Sequence, residues 1–324
     1  MYQIHYLNKI SSKGTALWTE NYTLTDELEQ AQGIILRSAN MHEMTLPENL
    51  LAVGRAGAGV NNIPLTTCAD QGIVVFNTPG ANANSVMELA LCGMLLASRD
   101  VVGGINWVQT IRESPDIAKL VEKGKSQFAG HEIRGKKLGV IGLGAIGGPL
   151  ANAARKLGMT VYGCDPFISI DAAWHLDSQI IRVKTREEIY ANCDIITLHV
   201  PLTENNYHMI DAAALRKMKR GVILINTARG KLIETESLIQ ALESGQVGGA
   251  GIDTLEEESG VMHVHVGTKV IDNRSLLYLK QFPNVLYTQH YAFFTQEAAE
   301  SMVRCGIQSI LNGVRGIPTP CEVQ

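Results

Sequence analysis

At 324 residues the chain is long enough for about two domains, and 45% hydrophobic residues exclude intrinsic disorder. The formal net charge of −4, with only 19% charged residues, leaves no basic excess to meet nucleic-acid phosphates, so a dedicated nucleic-acid binder is excluded. The first residues, Met1 to Lys13, lack an apolar signal core, and the most apolar stretch, Ser85 to Ser98, is too short for a bilayer and interrupted by Glu88, so a cytoplasmic protein without membrane contact is expected.

Taken in chain order, short Val/Ile/Leu runs at Gly33–Leu36, Leu51–Val53 and Ile73–Phe76 lead to a helix from Met87 to Arg99. Near-continuous apolar strands alternating with helices indicate a parallel sheet. A polar helical stretch from Asn106 to Lys125 follows, and then the alternation restarts at Lys137–Ile141, Thr160–Tyr162, Asp194–Leu198, Val222–Ile225, Ala250–Ile252 and Val285–Tyr287. Six strands with helices between them make a complete doubly wound domain, placed at 103–291. The tail, with a helix from Thr295 to Asn312, is too short to be a domain alone. It is therefore expected to join the first segment, giving a discontinuous domain of 1–102 plus 292–324 with the other inserted and a cleft between the two. The six scattered cysteines contain no CxxC pair and read as reduced thiols.

Gly142-Leu-Gly144-Ala-Ile-Gly147 lies between an apolar strand and a helix that opens near Gly148. In this pattern the first glycine permits the tight turn, the second lets the backbone reach a pyrophosphate, and the third allows close packing of helix on strand. The helix N-terminus adds unpaired N–H groups and the positive end of its dipole. Asp165, at the end of the next strand, would accept bonds from the ribose hydroxyls and repel a 2′-phosphate, favouring NAD over NADP. Gly124-Lys125-Ser126 resembles the end of a P-loop, but the position that this motif reserves for glycine is Lys119 and no strand precedes it.

Three further strand ends carry charge: Arg229 after Val222–Ile225, Asp253 after Ala250–Ile252 with Glu256-Glu-Glu258 beyond it, and His290 after Val285–Tyr287. Arginine grips a planar carboxylate bidentately, while a carboxylate beside an imidazole makes an acid–base pair. Singly, each residue also has a structural reading; jointly they suggest a site. His263 and His265 stand in a segment with no cysteine or further histidine nearby, so no metal site is expected. The basic run Arg216–Arg220 reads as the end of a helix closed by Gly221.

These motifs, with His199-Val-Pro-Leu-Thr203 and Asn226-Thr-Ala-Arg-Gly230, resemble those of the D-isomer-specific 2-hydroxyacid dehydrogenases along essentially the whole chain. The resemblance implies two Rossmann-like doubly wound α/β domains, the NAD domain inserted into a flavodoxin-like substrate domain. It implies NAD-dependent, reversible hydride transfer to C2 of a 2-oxo acid, with His290 as acid/base, Glu258 as its partner and Arg229 holding the substrate. It places Asp253 at the nicotinamide carboxamide, and Ala145, Ile146, Val200, Pro201, Asn206, Thr227, Ala228 and Thr78 along the cofactor. Gly57, Ala58 and Gly59 take the substrate carboxylate through backbone N–H groups, in a loop where Asn61 stands for the family's usual aspartate.

The subgroups divide over this chain. Arg55 and the surrounding Gly54–Gly59 run resemble 3-phosphoglycerate dehydrogenases, where the arginine meets a phosphate. The spacing from Arg229 to His290, and Phe293 after it, resemble D-lactate and D-2-hydroxyisocaproate dehydrogenases with apolar substituents at C3. A general 2-oxo acid reductase is expected first, phosphoglycerate dehydrogenase second, and a non-catalytic NAD(H)-sensing corepressor-like protein third. A homodimer formed through the 106–125 segment is the family's usual assembly.

Overall fold

The computed structural model describes residues 1–8, 10, 17–256, 273–315, 317–319 and 321–323. By contacts the chain divides into two compact units, Met1–Ser85 with Phe293–Gln324, and Val86–Ala292.

The first unit holds a six-stranded sheet of β1 (Tyr2–Tyr6), β2 (Tyr22–Leu24), β3 (Gly33–Leu36), β4 (Ala52–Arg55), β5 (Val74–Phe76) and β13 (Glu322–Val323), ordered β13-β5-β4-β3-β1-β2. All pairings are parallel except the short β13 against β5. Successive side chains of a strand point to opposite faces, and β3 shows it. Ile34 and Leu36 enter one core with Val53, Cys68 and Val75, whereas Ile35 enters the other with Phe76, Met302 and Ile307. The strand order without β13 is the flavodoxin-like 2-1-3-4-5.

The second unit adds β6 (Lys137–Ile141), β7 (Thr160–Cys164), β8 (Ile181–Arg182), β9 (Ile195–Leu198), β10 (Val222–Asn226), β11 (Val247–Ile252) and β12 (Val285–Tyr287). They form one parallel sheet, ordered β12-β11-β10-β9-β6-β7-β8, with the two-residue β8 beyond the six expected strands. This is the doubly wound order, and its direction reverses between β6 and β9. Both faces are apolar: Leu138, Val140 and Ile225 pack on one side, Ile196, Leu224 and Ile252 on the other.

The helix Ala83–Ser98 belongs with this second core. Its Ala90 and Met94 are fully buried against Leu138 and Val140, and a Cβ at Gly93 would lie 3.6 Å from Ile225. The contact division accordingly falls at 85/86, earlier in the chain than the 102/103 junction read from the sequence. The stretch expected as one helix over 106–125 is two, Val101–Ile111 and Ile117–Gly124. Asp100 caps the first, accepting from Gly103 N–H at 2.8 Å, and Pro115 occupies the break. All six cysteines are free thiols.

Candidate active site

The second unit gathers its candidate residues because its strands end level. Cα register pairs Leu198 with both Ile141 and Asn226, Asn226 with Ile252, and Ile252 with Tyr287. The segments that follow these five strands therefore leave from one edge, the carboxyl edge where open α/β sheets bind ligands.

At the switch point, β6 runs into Gly142, whose φ of +92° suits only glycine and whose N–H donates to Cys164 O at 2.9 Å. A Cβ at Gly142 would strike the carbonyl of His199, and one at Gly147 the carbonyl of Gly142 itself. At Gly144 a Cβ would meet nothing within 4 Å. The turn is thus closed at its first and third glycines and open at the second, which is the room a pyrophosphate needs. The helix Gly147–Lys156 begins there, with Gly144 and Ala145 exposed and Ile146 half-buried at its start. Asp165 braces the turn: Oδ2 accepts from Leu143 N–H and Oδ1 from Phe167 N–H, both at 2.9 Å. A carboxylate has about four acceptor sites, so it retains capacity for ribose hydroxyls. These features fit a dinucleotide.

After β9, Val200 is half-buried and Pro201 exposed. Asn206 holds their loop, accepting from Thr203 N–H at 2.7 Å and donating to Pro201 O at 2.6 Å. After β10, Asn226 does the same for 227–229: Oδ1 accepts from Ala228 N–H at 3.1 Å and Nδ2 donates to Arg229 O at 2.9 Å. Thr227 Oγ1 is buried without a protein partner, a polar atom suited to a cofactor group. Arg229 is half-buried and donates through Nη1 to Ala228 O at 2.7 Å.

After β11, Asp253 is 1% exposed and fully engaged with the segment that carries His290. Thr288 Oγ1 and Tyr291 N–H donate to Oδ1 at 2.6 and 3.0 Å, Ala292 N–H to Oδ2 at 3.0 Å, and His290 N–H to the Asp253 main-chain oxygen at 2.9 Å. His290 follows β12, half-buried, with φ of 51°. Glu258, its expected partner, lies outside the described residues, as do His263 and His265.

The first unit carries the remaining candidates near the ends of β4 and β5. Arg55 ends β4, and its Nη1 donates to Ala56 O at 3.1 Å. Gly57 N–H is already spent on Arg55 O at 2.9 Å and on Thr78 Oγ1 at 2.7 Å. A substrate anion would have to draw on the N–H groups of Ala58 and Gly59. Thr78, expected at the cofactor, is 1% exposed and holds this loop. Phe293 and Phe294 meet edge to face at 6.0 Å, and the Arg37 guanidinium lies 6.0 and 5.7 Å from their ring centres.

Two histidines had no assigned role in the sequence. His199 lies in the quoted His-Val-Pro-Leu-Thr motif, but nothing in the sequence signals that its ring is enclosed. Nε2 meets Thr197 Oγ1 at 2.9 Å, Nδ1 is buried without a protein partner, and burial pulls the imidazole down to about 4. His208, with φ of 50°, meets Glu256 Oε1 at 2.6 Å, and that bond and the Thr235 N–H bond hold the Glu256 carboxyl below its ordinary value despite burial.

A family model described as D-isomer specific 2-hydroxyacid dehydrogenase, NAD binding domain, matches residues 93–292. The aromatic 2-oxoacid reductase of Clostridium sporogenes is 38% identical over 257 residues, 78% of this chain and 72% of that protein. D-3-phosphoglycerate dehydrogenase of Archaeoglobus fulgidus is 33% identical over 301 residues, which are 91% of this chain but 52% of that protein. Among solved structures, D-2-hydroxyisocaproate dehydrogenase matches with a TM-score of 0.81 and 26% identity, over 100% of this chain and 99% of that one.

Proposed function

Since this chain belongs to the D-isomer specific 2-hydroxyacid dehydrogenase family and is an NAD-dependent oxidoreductase of 2-hydroxy acids, we propose that it reduces 2-oxo acids with an apolar C3 group, reversibly, with His290 as proton donor. The observation that carries this reading is the level edge from which Arg229, Asp253 and His290 leave adjacent strands. When bound, NADH supplies the hydride.

The chain's own residues supply position and a proton. Gly142, Gly144 and Gly147, with the helix N-terminus, take the pyrophosphate, and Asp165 takes the ribose hydroxyls. Ala145, Ile146, Val200, Pro201, Asn206, Thr227 and Ala228 line the cofactor. Arg229 grips the substrate's carboxylate and carbonyl oxygen, fixing which face of C2 is presented. Protonated His290 gives its proton to that oxygen as it gains charge, and in the reverse direction takes it back, with Glu258 as the imidazole's partner. In the first unit, the loop from Gly57 to Gly59 and Arg55 serve the substrate's anionic end.

Phe293 and Phe294, packed with Arg37, support an apolar C3 group. Against it, β4 ends level with β3, Leu36 pairing with Arg55, so Arg37 and Arg55 bring two cations to one sheet edge, as a phosphorylated substrate would want. NADH consumption with pyruvate, branched 2-oxo acids, phenylpyruvate and 3-phosphohydroxypyruvate separates the readings. Turnover of the apolar acids is expected. A response to phosphohydroxypyruvate alone establishes the second reading, and no turnover with any substrate points to an NAD(H) sensor.

Among the described residues no helix is long and apolar enough to cross a membrane. The helix Val101–Ile111 exposes Val101, Val102, Ile105 and Val108, with Ile105 56% exposed. An apolar face of this kind supports a homodimer through it, which light scattering at micromolar concentration tests.

A further inference from the structure

A trans peptide is planar, so its C=O and the N–H that follows point to opposite sides, and fixing one aims the other. Among the described residues every peptide bond is trans. In the first unit this couples the segment after β5 to the loop after β4. The carbonyl of Gly57 accepts from Thr78 N–H at 3.0 Å, and the next carbonyl, that of Ala58, accepts from Asn77 Nδ2 at 2.8 Å. The two bonds turn the N–H groups of Ala58 and Gly59 away from the 77–78 segment. Among the described residues neither of these N–H groups donates to a protein acceptor, and Ala58 is exposed while Gly59 is half-buried. They are the two donors left to a substrate carboxylate once Gly57 N–H is spent on Arg55 and Thr78.

Asn77 is itself held. Its N–H donates to Cys321 O at 2.8 Å, where β13 pairs antiparallel with β5, Glu322 opposite Phe76 and Val323 opposite Val75. The side chain thus leaves a backbone fixed by the C-terminal strand and spends one of its two amide donors on the loop. We propose that Asn77 is a positioning residue for the substrate carboxylate: through the 58–59 peptide it aims Gly59 N–H at the anion. The inference rests on the reading that this loop takes the carboxylate. A hydrogen bond weakens steeply as its donor turns away, and one made to a charged group is worth on the order of 10- to 100-fold in affinity. The carboxylate is unchanged by hydride transfer, so its contacts hold the ground state and the transition state alike. Their loss therefore appears in KM and not in kcat.

The test compares wild type, Asn77→Ala and Asn77→Asp by kcat and KM for the 2-oxo acid turned over fastest, and by NADH affinity from fluorescence titration. Asn77→Ala leaves Ala58 O without its donor. It is expected to raise KM about tenfold, with kcat within about threefold and NADH affinity within about twofold, because the glycine turn lies in the second unit. Asn77→Asp keeps the size of the side chain but turns an acceptor toward Ala58 O, and is expected to raise KM at least as far. A side chain that only filled space would leave Asn77→Asp near wild type, and that result overturns the proposal. So does a KM within about twofold of wild type in Asn77→Ala, or a loss of kcat and NADH affinity as large as the rise in KM, which marks general loosening. If Asn77→Ala does not fold, Asn77→Asp decides by the same criteria. Failure of the parent reading shows differently, in wild-type crystals grown with NAD and oxamate, as a carboxylate lying off the Ala58 and Gly59 N–H groups. Failure of this inference alone leaves the carboxylate there while the Asn77 variants keep a normal KM.

Discussion

Gly144 and Gly147 belong to one turn, yet alanine should act on them in opposite ways. At Gly147 a Cβ would land on the carbonyl of Gly142 and stand 3.2 Å from Val140 Cγ1, a branched side chain packed on the strand below. Neither neighbour can yield cheaply, because one is backbone and the other is core. Overpacking of this kind costs about 1–3 kcal/mol, and for a unit near 200 residues each kcal/mol lowers Tm by roughly 2–4 °C. Gly147→Ala should therefore melt on the order of 5–10 °C early. At Gly144 the methyl meets nothing within 4 Å, and φ is outside the left-handed region. Alanine there leaves the folded protein unstrained and restricts the unfolded chain, worth about 0.4–1 kcal/mol of added stability. The space it fills is the space assigned to the pyrophosphate, so the same 1–3 kcal/mol of overpacking appears in binding, as an NADH dissociation constant raised about 5- to 150-fold. Thermal unfolding by circular dichroism and NADH titration on both variants measure the crossing. If Gly144→Ala binds NADH like the wild type, the open second glycine is not where the cofactor lies and the reading of the turn fails.

His290→Ala should bind NADH almost normally and lose about 10²- to 10⁴-fold in kcat, the usual worth of a general acid, as steady-state kinetics would show. Arg229→Lys keeps the charge but loses the planar fork, and kcat/KM for any 2-oxo acid should fall roughly 10- to 100-fold, seen chiefly in KM, with little change in melting temperature. His199 carries a prediction about stability. Its folded value of about 4 lies below the ordinary 6.5 because burial penalises the charged ring. Below pH 6.5 the unfolded chain takes up a proton that the folded one refuses, so the stability is complete above 6.5 and is lost as the pH falls toward 4, to the extent of roughly 3 kcal/mol. Urea unfolding of His199→Gln across this range should show a flatter acid limb than the wild type, and an unchanged limb would refute the assignment.

What could be read from the sequence tracks how each element is built. Strands buried on both faces, such as Lys137–Ile141 and Val222–Asn226, announce themselves as continuous apolar runs, and the sequence places them within a residue or two. The outer strands do not. In Tyr2–Tyr6 only Ile4 is buried, Tyr22–Leu24 is partly exposed, and Glu322–Val323 is two residues long, so none carries an apolar run for periodicity to detect. The helix Ala83–Ser98 was legible as a helix but not in its allegiance, since an apolar face does not say which core receives it. In the site, the glycine spacing and strand-end charges were legible because local chemistry demands them. The pairing of His208 with Glu256, 48 positions apart in the chain, arises only from how distant segments meet, and the burial of the His199 ring is not marked by its motif.

The same contrast runs through the site's polar residues. Asn206, Asn226, Asp165, Asp253 and Thr78 are positions that the motifs assign to ligands or to their surroundings. In the structure each makes its bonds to the backbone of its own or a neighbouring loop: Asn206 to Thr203 and Pro201, Asn226 to Ala228 and Arg229, Asp165 to Leu143 and Phe167, Asp253 to Tyr291 and Ala292, Thr78 to Gly57. Loops at strand ends have no ladder to satisfy their N–H and C=O groups, and side chains that supply those bonds replace mobile water with fixed partners. Groups that must meet a reacting molecule, Arg229 and His290 foremost, then sit on backbone already held in place, so less ordering remains to be done when a substrate arrives. It follows that substitutions at these five positions should register first in the geometry of a neighbour, as lost turnover or weakened binding, and that, because the five lie at or beyond the ends of five different strands, removing two that share no partner should cost about the sum of the single losses.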